Sequence, residues 1–155
     1  MKVLLINGSP NANGCTNAAL REIAKTLAQC GVEPELVHIG KGPFRGCTDC
    51  GGCVNTGRCV FDDDCVNDLI DKMDHADGLI VGSPVHFASA AGAIVSVLDR
   101  MFHAGKTRRF AHKPAAAVAV ARRAGTTATL DELNKYFAIR QMPIVSSSYW
   151  NMVHG

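Results

Sequence analysis

Thirteen positions, Cys47 to Cys59, hold four of the chain's seven cysteines. They read Cys47-Thr-Asp-Cys50-Gly-Gly-Cys53-Val-Asn-Thr-Gly-Arg-Cys59, so the first three keep a C-x-x-C-x-x-C spacing. Thiolates are soft metal ligands, and a compact run of this kind is the one that wraps iron–sulfur clusters. Gly51-Gly52 permits the tight, positive-φ backbone needed to aim successive thiolates at one centre, and Cys59 offers a local fourth ligand. Zinc held by four thiolates is the main rival, although structural zinc usually takes two C-x-x-C pairs set further apart. Free thiols on a loop, binding no metal, are the third reading. Cys15, Cys30 and Cys65 read as structural or incidental.

A second chemistry-bearing stretch is Gly8-Ser9-Pro10-Asn11-Ala12-Asn13-Gly14-Cys15-Thr16-Asn17. It follows the apolar run Val3–Ile6 and precedes a segment of helical periodicity. Free N–H groups in a helix's first turn carry partial positive charge and suit a phosphate. Ser9, Asn13, Thr16 and Asn17 add hydroxyls and amides. The stretch lacks the Gly-Lys-Ser/Thr ending of a P-loop and does not fit Gly-x-Gly-x-x-Gly. With no Lys or Arg between Lys2 and Arg21, a monophosphate such as that of FMN fits better than a triphosphate with magnesium. The alternative is a polar turn with Thr16 or Asn17 capping the helix.

Two further stretches could complete a flavin site. Gly82-Ser83-Pro84-Val85-His86-Phe87 follows an apolar strand and offers a rigid proline, an aromatic side chain and backbone groups for a flat ring. Its alternative is a Ser-Pro turn with Phe87 packed in the core. Arg122-Arg123-Ala124-Gly125-Thr126-Thr127 could face the flavin's pyrimidine side or ribityl chain, or a nicotinamide cofactor's phosphate. It reads equally as a basic turn before a helix capped by Thr126 or Thr127. Lys106-Thr107-Arg108-Arg109 reads as an exposed loop.

These stretches need a frame. The 155 residues, 47% hydrophobic and 19% charged, predict one globular domain with a substantial core. A net charge of +2 gives no reason to expect nucleic acid or an anionic membrane as partner. The N-terminal run lacks signal-peptide architecture and no run is long enough for a membrane span, so a cytoplasmic protein is expected. Seven cysteines in a reducing compartment argue for metal or redox chemistry rather than disulfides. Strands are predicted at residues 2–7, 35–39, 79–81, 115–121 and 144–147. Helices are predicted at about 16–30, from about 62, at 89–102 and at 127–139, with Leu20, Ile23, Ala24 and Leu27 marking the first stripe. Residues 40–62 have no periodicity and form a cysteine-rich insertion, long enough to be functional. Alternating strands and helices imply a doubly wound parallel sheet with its ligand loops at the strands' carboxyl ends. After the last strand too few residues remain for a covering helix, so the chain is expected to be a fragment, the other possibility being a partner subunit on that face.

Taken together, these features resemble the flavodoxin-like NADPH-dependent FMN reductases, and among them the iron–sulfur flavoproteins. The resemblance rests on Gly8-Ser9-Pro10 through Thr16, the cysteine run with the acidic residues after it, Gly82–Phe87, and Leu98-Asp99-Arg100. It implies a flavodoxin-like α/β fold of five strands in the order 2-1-3-4-5. It also implies FMN phosphate held by Ser9, Asn11, Asn13, Cys15 through its backbone, Thr16 and Asn17. Pro84, Val85, His86 and Phe87 would line the ring, with Arg122 and Gly125 nearby. Cys47, Cys50, Cys53 and Cys59 would ligate a four-iron–four-sulfur cluster. Homodimers or homotetramers are usual in the family. His86 replaces a frequent Tyr, Asn11-Ala12 a frequent basic pair, and Cys15 a commoner Asn.

The chemistry implied is redox, carried by the cofactors. Pairing FMN with a one-electron cluster makes a two-to-one electron converter. Because the cysteine segment follows the second strand, it is expected on the same sheet edge as the flavin loops, within direct reach. Three functions compete: an iron–sulfur flavoprotein working with a small-molecule or protein partner such as a ferredoxin-like donor, a cluster-free NAD(P)H-dependent FMN or quinone reductase, and a non-enzymatic flavin-binding module.

Overall fold

Val3, Leu4, Leu5 and Ile6 are buried whichever way they point, because their strand lies inside a sheet covered on both faces. The computed structural model describes residues 1–104 and 108–155. Its elements are β1 (Lys2–Asn7), α1 (Cys15–Gln29), β2 (Glu33–His38), α2 (Cys53–Thr56), α3 (Val66–His75), β3 (Gly78–His86), β4 (Ser89–Ala90), α4 (Gly92–Ala104), β5 (Ala115–Ala121), α5 (Thr126–Ile139) and β6 (Met152–His154). The strand order is β2-β1-β3-β5-β6 and all these pairs are parallel. With the short β4 set aside, this is the expected flavodoxin-like 2-1-3-4-5.

Strand alternation divides the core in two. Leu4 and Ile6 face Val66, Leu69, Ile70 and Met73 of α3 and Ile94, Val97, Leu98 and Met101 of α4, with Leu130, Leu133 and Phe137 of α5 in the same cluster. Val3 and Leu5 face Leu20 of α1, together with Val118 and Val120 of β5. Of the α1 stripe read from 3.6-residue spacing, Leu20 is fully buried and Ile23, Ala24 and Leu27 are half-buried against the same cluster. Part of the α1 face stays open, where Ile23, Leu27, Ile80, Val118, Val145 and Trp150 line a broad groove.

Several expectations need correction. The strand expected at 79–81 runs on to His86, and β4 folds back on it antiparallel, pairing Val85 with Ala90 and His86 with Ser89. The strand expected at 144–147 is only a single bridge from Ile144 to Ala115; the chain then loops out and pairs again as β6, with Met152 opposite Ala119. Of the basic run near 106, Lys106 and Thr107 lie outside the described residues. Arg109 is no solvated charge: it pairs with Asp74 and donates to the Gly57 carbonyl.

Candidate functional site

Parallel pairing carries the ends of β1, β3 and β5 to one edge, where Asn7 lies opposite Gly82 and Pro84 opposite Val120. The loop after β1 is drawn tight there. Gly8 N–H donates to the Gly82 carbonyl at 2.8 Å, and a Cβ on Gly8 would stand 2.6 Å from Ile94 Cβ. Ser9 and Thr16 are buried, whereas Asn11, Asn13 and Cys15 are exposed and Asn17 half-buried. Ser9 Oγ accepts from Asn11 N–H at 3.1 Å, and the Asn7 side-chain oxygen accepts from Ser9 N–H at 3.0 Å. His38, at the end of β2, puts Nε2 2.7 Å from the Ser9 carbonyl, which it can meet only as a donor.

The cap of α1 is Gly14, not Thr16 or Asn17, and it makes no side-chain cap hydrogen bond; the first turn carries no acidic residue. The first-turn N–H groups therefore keep their donor capacity for an anion. Asn7 Nδ2 is buried without a partner at the root of the same loop. Donors without acceptors, small side chains and no competing carboxylate fit a phosphate group.

The second loop is a two-residue turn rather than a Ser-Pro loop. Phe87 and Ala88 both have positive φ, 53° and 61°, the mirror-image geometry that closes a hairpin and normally falls to Asn-Gly. Phe87 is fully exposed, not packed in the core. Glu132 of α5 fixes the hairpin by accepting from Ser89 Oγ at 2.8 Å and Ala90 N–H at 2.7 Å. The third loop meets the second at Gly125, which caps α5 in place of Thr126 or Thr127. Gly125 has φ 100°, and a Cβ there would lie 2.7 Å from Ala88 Cα and 2.9 Å from Val85 Cγ1. Gly125 thus has a packing reason to be glycine. Arg122 projects into solvent beside it.

The four clustered cysteines meet elsewhere. Cys47, Cys50, Cys53 and Cys59 line one small cavity, about 20 Å³ in volume, with Phe61, Arg100 and His103. Cys53 is buried, Cys59 half-buried, and Cys47 and Cys50 are exposed. The glycine pair works as its residue type suggests: Gly51 has φ 70°, and a Cβ on Gly52 would strike Val60 Cγ1 at 2.3 Å. Burial and the three neighbouring thiols raise the pKa of Cys53. Among the described residues, no group of three or more His, Cys, Asp or Glu is arranged to hold a metal ion. All seven cysteines are unpaired thiols.

Two residues that the spacing arguments gave no role build this cavity. Asn67 of α3, almost fully buried, accepts from Cys59 N–H at 2.9 Å and donates to the Cys59 carbonyl at 3.0 Å and to Asp62 at 2.8 Å. Arg100 of α4 donates through Nε to Cys59 Sγ at 3.2 Å and through its other nitrogens to Asp64 and the Phe61 carbonyl. A buried polar residue within a helix's apolar stripe was the available signal.

This location corrects the expected one. The flavin loops touch Ala91, just before α4, and Ile94 in its first turn, whereas the thiol cavity touches Arg100, His103 and Ala104. Ile94 to Arg100 spans about 9 Å of helix axis, directed away from the carboxyl edge. The cysteine segment leaves the edge because Asn67 of α3, Arg100 of α4 and Arg109 before β5 tie it down there.

Comparison with known sequences places this architecture. The sequence model of the NADPH-dependent FMN reductases matches residues 1–155. The chain belongs to that family. It is a flavin-dependent oxidoreductase with FMN as the cofactor of its family. Among its relatives, an iron–sulfur flavoprotein of Methanocaldococcus jannaschii is 32% identical over 150 residues, covering 96% of this chain and 77% of the relative. One of Archaeoglobus fulgidus is 34% identical over 100 residues, 64% of this chain and 48% of the relative. The chain thus spans about half of the latter's length. Among solved structures, a flavone reductase superposes with TM-score 0.76 at 19% identity, covering 99% of this chain and 53% of the other. An NADH:FMN oxidoreductase gives 0.71 at 23% identity, covering 98% and 75%. These structures establish the shared flavodoxin-like fold.

Proposed function

We propose that this FMN reductase family member is an electron-transfer flavoprotein with a four-iron–four-sulfur cluster held by Cys47, Cys50, Cys53 and Cys59. The observation carrying the proposal is that these four thiols line one cavity, with a buried guanidinium donating to Cys59. The C-x-x-C-x-x-C spacing with a fourth local cysteine favours an iron–sulfur group over zinc, which usually takes two C-x-x-C pairs set further apart. The matched relatives named iron–sulfur flavoproteins support the same reading.

Ser9, Asn11, Asn13, Thr16, Asn17 and the first-turn N–H groups at Cys15 would hold the FMN phosphate. Pro84, Val85, His86 and Phe87 would border the ring, with Arg122 at the rim. Bound there, FMN supplies hydride acceptance and single-electron release, and the cluster supplies a one-electron store. The chain's residues bind and orient both groups and carry no acid–base step. The partners we propose are NAD(P)H or a ferredoxin-like protein as donor, and a second copy of the chain in a homodimer or homotetramer. The unpaired cysteines suit a reducing compartment such as the cytoplasm.

The test is a visible spectrum with iron and sulfide analysis on protein purified without oxygen. Flavin bands over a broad shoulder, with about four irons per chain, are expected, and Cys50→Ser should remove the shoulder and keep the flavin. Flavin without iron would leave the cluster-free NAD(P)H-dependent reductase. A protein that takes up neither group would overturn both.

A further inference from the structure

Arg100 is the largest fully buried side chain of the described residues, yet it carries a charge and lies beside a thiol. A buried guanidinium is costly unless its donors are matched. Here all three nitrogens are used: Nε reaches Cys59 Sγ at 3.2 Å, one terminal nitrogen pairs with Asp64 and lies 3.5 Å from the Arg45 carbonyl, and the other reaches the Phe61 carbonyl at 2.9 Å. Asn67 meanwhile holds both backbone groups of Cys59. Cys59 is therefore fixed from its backbone by a buried side chain and from its sulfur by a buried cation, whereas the Cys53 thiol donates only to the neutral His103 carbonyl, at 3.9 Å.

We infer that Arg100 and Asp64 form a tuning pair for the cysteine site, Arg100 as a positioning residue that aims Cys59 and offsets its negative charge, and Asp64 as the counter-charge limiting that offset. This rests on the cluster reading above. A hydrogen bond and a positive charge at a ligating sulfur draw electron density from it and favour reduction of the group it binds. In a titration with dithionite, each electron gained comes from the dithionite and adds one negative charge beside Arg100, and no atom is transferred. Lysine could keep the charge but not the three-way fork, so the two residues are not equivalent here.

Opposite signs are the distinguishing consequence. After anaerobic reconstitution with ferrous iron and sulfide, midpoint potentials are read by dithionite titration for wild type, Asp64→Asn and the double variant Arg100→Met/Asp64→Asn. Asp64→Asn leaves the guanidinium charge undiluted at Cys59 and should move the midpoint upward. The double variant, which buries no unpaired charge, should move it downward, and Arg100→Lys should fall between it and wild type. A merely structural pair would lower iron content and melting temperature without shifts of opposite sign. Equal midpoints in iron-loaded proteins overturn the inference; if the double variant binds no iron, an unchanged midpoint in Asp64→Asn does so alone. Wild type that takes up FMN but no iron overturns the cluster reading and this inference with it, whereas failure of the tuning alone leaves wild-type iron intact.

Discussion

Replacing Asn67 with alanine removes the clamp on Cys59. The wild-type side chain satisfies both the N–H and the carbonyl of Cys59, at 2.9 Å and 3.0 Å, and donates to Asp62 at 2.8 Å. Asn67 is only 2% exposed, so water does not simply take its place. An abandoned buried polar group costs about 1–3 kcal/mol. Asp62 is exposed and regains water, and the Cys59 segment lies near the surface, so the low end applies to each of the two Cys59 backbone groups, giving about 2 kcal/mol in total. For a chain of this size that is a melting-temperature drop of about 4–8 °C. The assay is thermal denaturation followed by circular dichroism, with iron content measured alongside. FMN affinity should be unchanged, because Asn67 sits on α3 and does not contact the flavin loops. A melting temperature within about 2 °C of wild type, with full iron retention, would refute the view that Asn67 organises the thiol cavity.

Three further outcomes follow from single features. Gly8→Val should force the phosphate loop away from Ile94, costing about 1–3 kcal/mol of stability and at least about tenfold in FMN affinity, read by quenching of flavin fluorescence. Burial pushes the Cys65 thiol up to about 11, so at pH 8 only about one thousandth is thiolate; iodoacetamide labelling followed by mass spectrometry should find it modified well behind exposed Cys30. The hydrogen bond from Arg109 lowers the pKa of Asp74, so the pair stabilises above the unfolded carboxyl value near 3.9 and that contribution is lost as pH falls through the lower folded value. Asp74→Asn should therefore melt earlier at pH 7 and converge with wild type near pH 2, as melts across that range would record.

The frame was legible because its signals are local. The apolar run Val3–Ile6 reports burial directly, since all four residues are buried. The phosphate loop was legible through the order strand, small polar residues, helix. The β3–β4 hairpin was not, because Ser83-Pro84 reads as a turn, while the actual turn is made by Phe87-Ala88 without the usual Asn-Gly. Held at positive φ by Glu132 and Gly125, that pair depends on contacts some forty residues away. The last strand was misplaced for a related reason: Ile144-Val145 has strand propensity, but β5 accepts only Ile144 before the chain loops out and returns at Met152. The cysteines could be grouped by spacing. Their seat on α3 and α4 could not be found that way, since it is set by Asn67, Arg100 and Arg109, which reach the segment from α3, α4 and the stretch before β5.

We propose that one chain holds two separate redox sites, a flavin at the carboxyl edge and a cluster on the far half of α4. The most direct measurement is the FMN and iron stoichiometry of anaerobically reconstituted wild type beside Cys53→Ala. One FMN per chain is expected in both proteins, and iron in the wild type alone. Iron retained by Cys53→Ala, or FMN lost together with the iron, would contradict the proposal of two separate sites.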